Sequence, residues 1–94
     1  MDLKIGQIVI SKAGRDKGCA FVIVGFSECE GFALLVDGRT RLWANPKKKK
    51  LKHLQPTHKI DTALANTIKS GGYLKDADFR NAIKNLISAN SEKV

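Results

Sequence analysis

Residues Ile5 to Val24 read IGQIVISKAGRDKGCAFVIV, and the rest of the chain is organised around them. Two apolar runs, Ile8-Val9-Ile10 and Ala20 to Val24, flank a loop bounded by Gly14 and Gly18. β-branched residues dominate both runs while Gly, Asp and Lys fill the gap, the pattern of two strands joined by a longer hairpin loop. Glycine at each end of the loop reaches backbone angles that are costly for any residue with a Cβ. Arg15 and Lys17 lie inside the loop and Lys12 just before it. Cations on a stiff turn projecting from a sheet suit a polyanionic partner.

Working outward, Gln7 to Ser11 reads as a first strand and Cys19 to Phe26 as a second. The stretch Phe21 to Val24 is apolar without alternation, which predicts a central strand buried on both faces. Ser27 to Gly31 is a polar turn and Phe32 to Val36 a third strand. Asp37-Gly38 is a two-residue hairpin signal, because both residues tolerate positive φ. A fourth strand is expected over Thr40 to Ala44, stopped by Asn45-Pro46, and a short fifth over Leu51 to Leu54. Five short strands with tight turns predict a strongly bent antiparallel sheet closing into a barrel.

Gln55-Pro56-Thr57 marks the expected end of that sheet. Beyond it Ile60, Leu64 and Ile68 recur every four residues, with Asp61 near the start and Lys69 near the end, where a helix dipole favours them. Ser70-Gly71-Gly72 should end this helix. A second should begin near Asp76 and carry Phe79, Ile83, Leu86 and Ile87 on one stripe. The final residues from Ser88 are expected to fray. Two short helices do not hold together alone in water, so they should pack on the sheet or on a partner.

The chain has 94 residues and a formal net charge of +8. Up to Asp37 there are four basic and five acidic residues, and after Ile60 five basic and four acidic. Residues 38–60 between them carry eight basic and no acidic ones. Charge gathered in one short segment points to a phosphate-binding face rather than to general solubility. A hydrophobic content of 43% excludes a wholly disordered chain. No apolar run approaches the roughly 20 residues that span a bilayer, and MDLKIGQIVI lacks the features of a secretory signal. Cys19 and Cys29 form neither a CxxC pair nor a disulfide framework, so reduced thiols in a cytoplasmic setting are expected.

The densest candidate site is Lys47-Lys48-Lys49-Lys50, extended by Lys52 and His53 and by Arg39 and Arg41. If about six such cations reach phosphates, affinity should fall with salt at a log-log slope of roughly −4 to −5. Trp43 is expected to close the core at a strand end, with stacking on an unpaired base as the alternative. Phe21, Phe26 and Phe32 are expected in the core. Asp16 reads as charge balance for Arg15 and Lys17. His53 and His58 have finger-like spacing but the cysteines do not, and GRDKG precedes a strand where a phosphate-binding P-loop needs a helix. Neither a metal site nor a cofactor is therefore expected. No nucleophile, base and orienting acid assemble, so no enzyme activity and no small-molecule substrate are expected.

The hydrophobic-Gly-x-hydrophobic strand, the loop Ser11-Lys12-x-Gly14-x-x-x-Gly18 and the second apolar strand resemble a KOW motif. That motif occurs in several ribosomal proteins and in transcription elongation factors. Gly18 falls at the family's most characteristic glycine, and Gln7 stands where the family usually has an acidic residue. With the segment NPKKKKLKHLQPT from Asn45 to Thr57, the first 57 residues resemble archaeal-type large-subunit ribosomal proteins of the KOW class.

The resemblance implies a mainly β fold, a small SH3-like barrel over 1–56 with its basic segment at 38–59. Residues 57–94 would form a helical appendage. It also implies binding to ribosomal RNA of the large subunit, beside neighbouring ribosomal proteins and away from membranes. Lys12, Arg15, Lys17, Arg39, Arg41, Lys47, Lys48, Lys49, Lys50, Lys52 and His53 would be the contacts. A transcription elongation-type module and a protein-interaction adaptor using the helices are the alternatives.

Overall fold

β-branched and aromatic residues put the N-terminal half of the chain into strands, and the turns between them decide how the sheet bends. The computed structural model describes residues 3–27 and 31–91, with the backbone alone for 88–91. Gln7–Ser11 forms β1, Ala20–Phe26 β2, Phe32–Val36 β3, Lys47–Lys50 β4 and Leu54–Ile60 β5. All neighbouring pairs are antiparallel, in the order β4-β3-β2-β1-β5. The two edge strands, β4 and β5, are consecutive in the chain and separated only by the 3-10 turn Leu51–His53. Three residues cannot cross a flat five-stranded sheet, since strands lie about 4.8 Å apart, so the sheet curls until its edges approach. Register shifts between Gln7 and Val9 and between Ile23 and Gly25 mark bulges that sharpen the bend. The ladder itself stays open, with no β4–β5 pairing among the described residues.

Curling gives the sheet an inner and an outer face, each with its own core. Val9, Phe21, Ile23, Ala33, Leu35 and Leu54 fill the inner one. Ile8, Val22, Val24 and Val36 project outward and are covered by Leu64, Phe79 and Ala82 of the helices. This is why the apolar run in β2 does not alternate. α1 spans Thr62–Ser70, capped by the Asp61 carboxylate accepting from Leu64 N–H and ended at Gly71. α2 spans Asp76–Ser91, with Phe79 fully buried. The helices therefore complete the sheet's outer core, and β5 runs across the boundary expected at residue 56. Pro56 fits there because an edge strand has one side on which no ladder N–H is needed.

Several other expectations are corrected. No hairpin forms at Asp37-Gly38 and no strand at Thr40 to Ala44. The Asp37 carboxylate instead accepts from the N–H groups of Arg39, Thr40 and Arg41 and from the Thr40 hydroxyl. Those N–H groups are thereby taken from any partner strand, and residues 37–45 become an arm. The lysine run is the edge strand itself, pairing Lys50 with Phe32 and Lys47 with Leu35. Of Leu51 to Leu54 only Leu54 enters a strand. Ile60 ends β5 at 40% exposure and does not join the helical stripe. Phe21 is in the core, but Phe26 is 44% exposed and Phe32 half-buried. The second strand starts at Ala20, and α2 continues through Ser91 where fraying was expected. Residues 28–30 of the expected polar turn, and 92–94 of the expected frayed end, lie outside the described residues.

Candidate nucleic-acid interface

Gly14 and Gly18 adopt φ of 84° and 89°, as the loop between β1 and β2 was expected to require. The loop closes through Gly18 N–H to Ser11 O and Cys19 N–H to Asp16 O, which holds Arg15 and Lys17 at the exposed tip. Lys12 N–H donates to His53 O at 2.8 Å, tying the loop's base to the 3-10 turn.

Asp16 points across the mouth of the curl rather than to its neighbours in sequence. Its Oδ1 accepts from Lys49 Nζ at 2.8 Å and from Ser11 Oγ at 2.7 Å, and its Oδ2 lies 3.0 Å from Lys47 Nζ. Lys49 also donates to Ala13 O at 2.9 Å and is only 9% exposed. Antiparallel pairing puts Lys47 and Lys49 on the same face as Leu35 and Ala33, the inner one. The ammonium groups thus latch the edge strand β4 to the β1–β2 loop. Burial by itself would raise the Asp16 carboxyl, but hydrogen bonds from Lys49, Ser11 and Lys47 outweigh it and hold it well below the ordinary carboxylate value. Asp37 behaves alike: burial pushes it up, and the N–H groups of Arg41 and Arg39 with the Thr40 hydroxyl and N–H bring it below.

Between the β1–β2 loop and the arm lies a groove of about 560 Å³, bordered by Arg15, Arg41, Lys47 and Lys49 with Asp16, Thr40 and Cys19. Four cations against one carboxylate leave it electropositive. Arg41 reaches it because α2 holds the arm in place. Trp43 N–H donates to Asp76 Oδ1 at 2.7 Å, and the Trp43 ring stacks on Phe79 at 5.3 Å and 28°. Arg80 Nη1 donates to Gly38 O at 2.8 Å. Gly38, at φ 77°, lies so close to the Asp76 carbonyl oxygen that no Cβ fits. Trp43 is therefore a helix-packing residue in the arm, not the end of a strand.

All the expected contact residues but His53 divide into two groups. Arg15, Arg41, Lys47 and Lys49 converge on the groove, with Lys12 and Lys17 exposed on the adjoining loop and Arg39 on the arm. Lys50 and Lys52 border a separate cleft with Phe32 and Leu51, and Lys48 Nζ sits 5.2 Å above the Phe32 ring. His53 is half-buried. Lys47 and Lys49 are not free charges, since Asp16 engages both. Asp16 is the groove residue whose role sequence reasoning missed: an acid within a basic loop was the visible signal, but its partners lie some thirty residues away on a strand of unforeseen register.

Among the described residues no His, Cys, Asp and Glu side chains gather as metal ligands, and no helix is long and apolar enough to cross a membrane. The chain matches no protein-family model and no curated protein.

Proposed function

We propose that this chain is an RNA-binding protein without a catalytic role, a KOW-type module that docks in the cytoplasm on ribosomal RNA of the large subunit. The observation that carries the reading is the groove where Arg15 of the β1–β2 loop and Arg41 of the arm face each other beside Lys47 and Lys49 of β4. Arginine offers a planar fork that grips phosphate oxygens in pairs, while lysine contributes a point charge. A KOW-type SH3-like barrel is the matching fold reading, supported by the curled five-stranded sheet and the short turn between its edges.

The mechanism is positioning by charge. The latched loop and the clamped arm hold cations at set spacings, so phosphates bind without ordering a flexible chain first. If about five exposed cations reach phosphates, affinity should fall with salt at a log-log slope of roughly −3.5 for single strands to −4.5 for duplex. The deciding experiment is sedimentation of cell lysate through sucrose across a salt series. Co-migration with the large subunit, weakening as salt rises, is the expected result. A protein that stays at the top of the gradient even at low salt would overturn the ribosomal assignment.

A further inference from the structure

A second electropositive space lies on the opposite side of the arm. Arg39 from the arm and Arg80 and Lys84 from α2 border a hollow of about 230 Å³, floored by Ala20 and Ile83. Ala20 begins β2, and the preceding Cys19 borders the groove described above, so the two spaces straddle the start of that strand. Asp37 also borders the hollow, but its carboxylate is engaged by four hydrogen bonds from the arm. Arg80 uses one N–H group on Gly38 O, out of the five that a guanidinium carries. Lys84 follows Arg80 by four residues, one turn along the same helix face, and is exposed.

We propose that this hollow is a second phosphate subsite, in which Arg39, Arg80 and Lys84 take a further phosphodiester of the RNA held in the first groove. This rests on the RNA-binding reading and deepens it, because α2 then belongs to the interface as well as to the core. Three cations from two elements meet at a concave place against one carboxylate that is turned to the arm's own N–H groups, a net positive donor set that suits a phosphate oxyanion. The arm lies between the two subsites and contributes an arginine to each. One continuous strand of RNA would cross it.

The test compares Lys84→Gln with Lys69→Gln, an equal loss of charge on exposed α1 surface that borders neither space. Binding is read by fluorescence anisotropy of a labelled mixed-sequence RNA, single-stranded and annealed to its complement, across a salt series. Lys84→Gln should bind several-fold more weakly, with a salt slope shallower by about 0.7 to 0.9, the share of one phosphate contact. Arg39→Gln should do the same, while Lys69→Gln should match the wild type. Equal behaviour of Lys84→Gln and Lys69→Gln would overturn the second subsite and leave the first standing. A wild-type protein without salt-dependent affinity for either RNA would instead sink the RNA-binding reading itself.

Discussion

Replacing Asp16 by alanine should unlatch the edge of the sheet, and the size of the effect can be worked from its partners. Lys49 is 9% exposed and would keep only Ala13 O as an acceptor. Removing one member of a buried ion pair costs about 3 to 5 kcal/mol, because the other charge is left stranded. Lys47, with its side chain 26% exposed, turns to water and adds at most about 1 kcal/mol. Ser11 Oγ adds little, since Ala13 O lies 3.0 Å away as a second acceptor. Because Lys49 keeps Ala13 O, the low end of this range is expected, a loss of about 3 kcal/mol, which lowers Tm by roughly 12 to 24 °C for a domain of this size.

Urea unfolding followed by far-UV circular dichroism reads the loss directly. Adding Lys49→Met to Asp16→Ala removes the stranded charge, so the double variant should recover at least about 1 kcal/mol over the single one. The Asp16 and Asp37 carboxyls are both held below their ordinary value of 3.8, so the unfolded chain takes up protons first as pH falls. Their stabilisation is fully present above that value and is lost as pH drops below it. Asp16→Ala should flatten this acid limb, leaving the Asp37 part. A loss under about 1 kcal/mol, with a double variant no more stable than the single, would refute the latch and make Asp16 an ordinary surface charge.

The clamp between the arm and α2 carries the other predictions. Gly38→Ala combines a positive φ with a collision at the Asp76 carbonyl oxygen, and should cost about 2 to 3 kcal/mol in urea unfolding; an unchanged midpoint would mean the arm does not rest on α2. Trp43 is the sole tryptophan, so its fluorescence reports arm docking on Phe79. Asp76→Ala should shift that emission to the red, whereas Asp76→Asn keeps an oxygen for Trp43 N–H and should restore it; identical spectra for the two would remove Asp76 from the clamp.

How much was legible in the residues follows from the range of the forces involved. β-branched runs, the glycine-bounded loop, the acid Asp61 near a helix start and the stop at Gly71 are local preferences, set by φ/ψ sterics, the helix dipole and hydrogen bonds a few residues apart. They placed β1 and β3 and the starts of α1 and α2, apart from the assignment of Ile60. Charge segregation is likewise a property of the chain, and residues 38–60 include Arg41, Lys47 and Lys49 of the groove, while its fourth cation, Arg15, came from the glycine-bounded loop. At Asp37 two local rules competed: the dipeptide favours a hairpin, but a carboxylate followed by free N–H groups can satisfy them itself. That choice depends on whether a partner strand is present to use those N–H groups, and here the edge of β3 is taken by Lys47–Lys50.

By itself, then, the sequence determined that a small, basic, mainly β protein would carry a rigid cationic loop and two C-terminal helices. Only the tertiary structure decided that four consecutive lysines form a strand, that two of them turn inward to Asp16, and that α2 anchors the arm bearing Arg39 and Arg41. Those outcomes rest on strand register and on contacts between residues more than thirty positions apart. Side-chain direction in a strand reverses with every single-residue shift in register, so which lysines face inward is settled only once the sheet has curled.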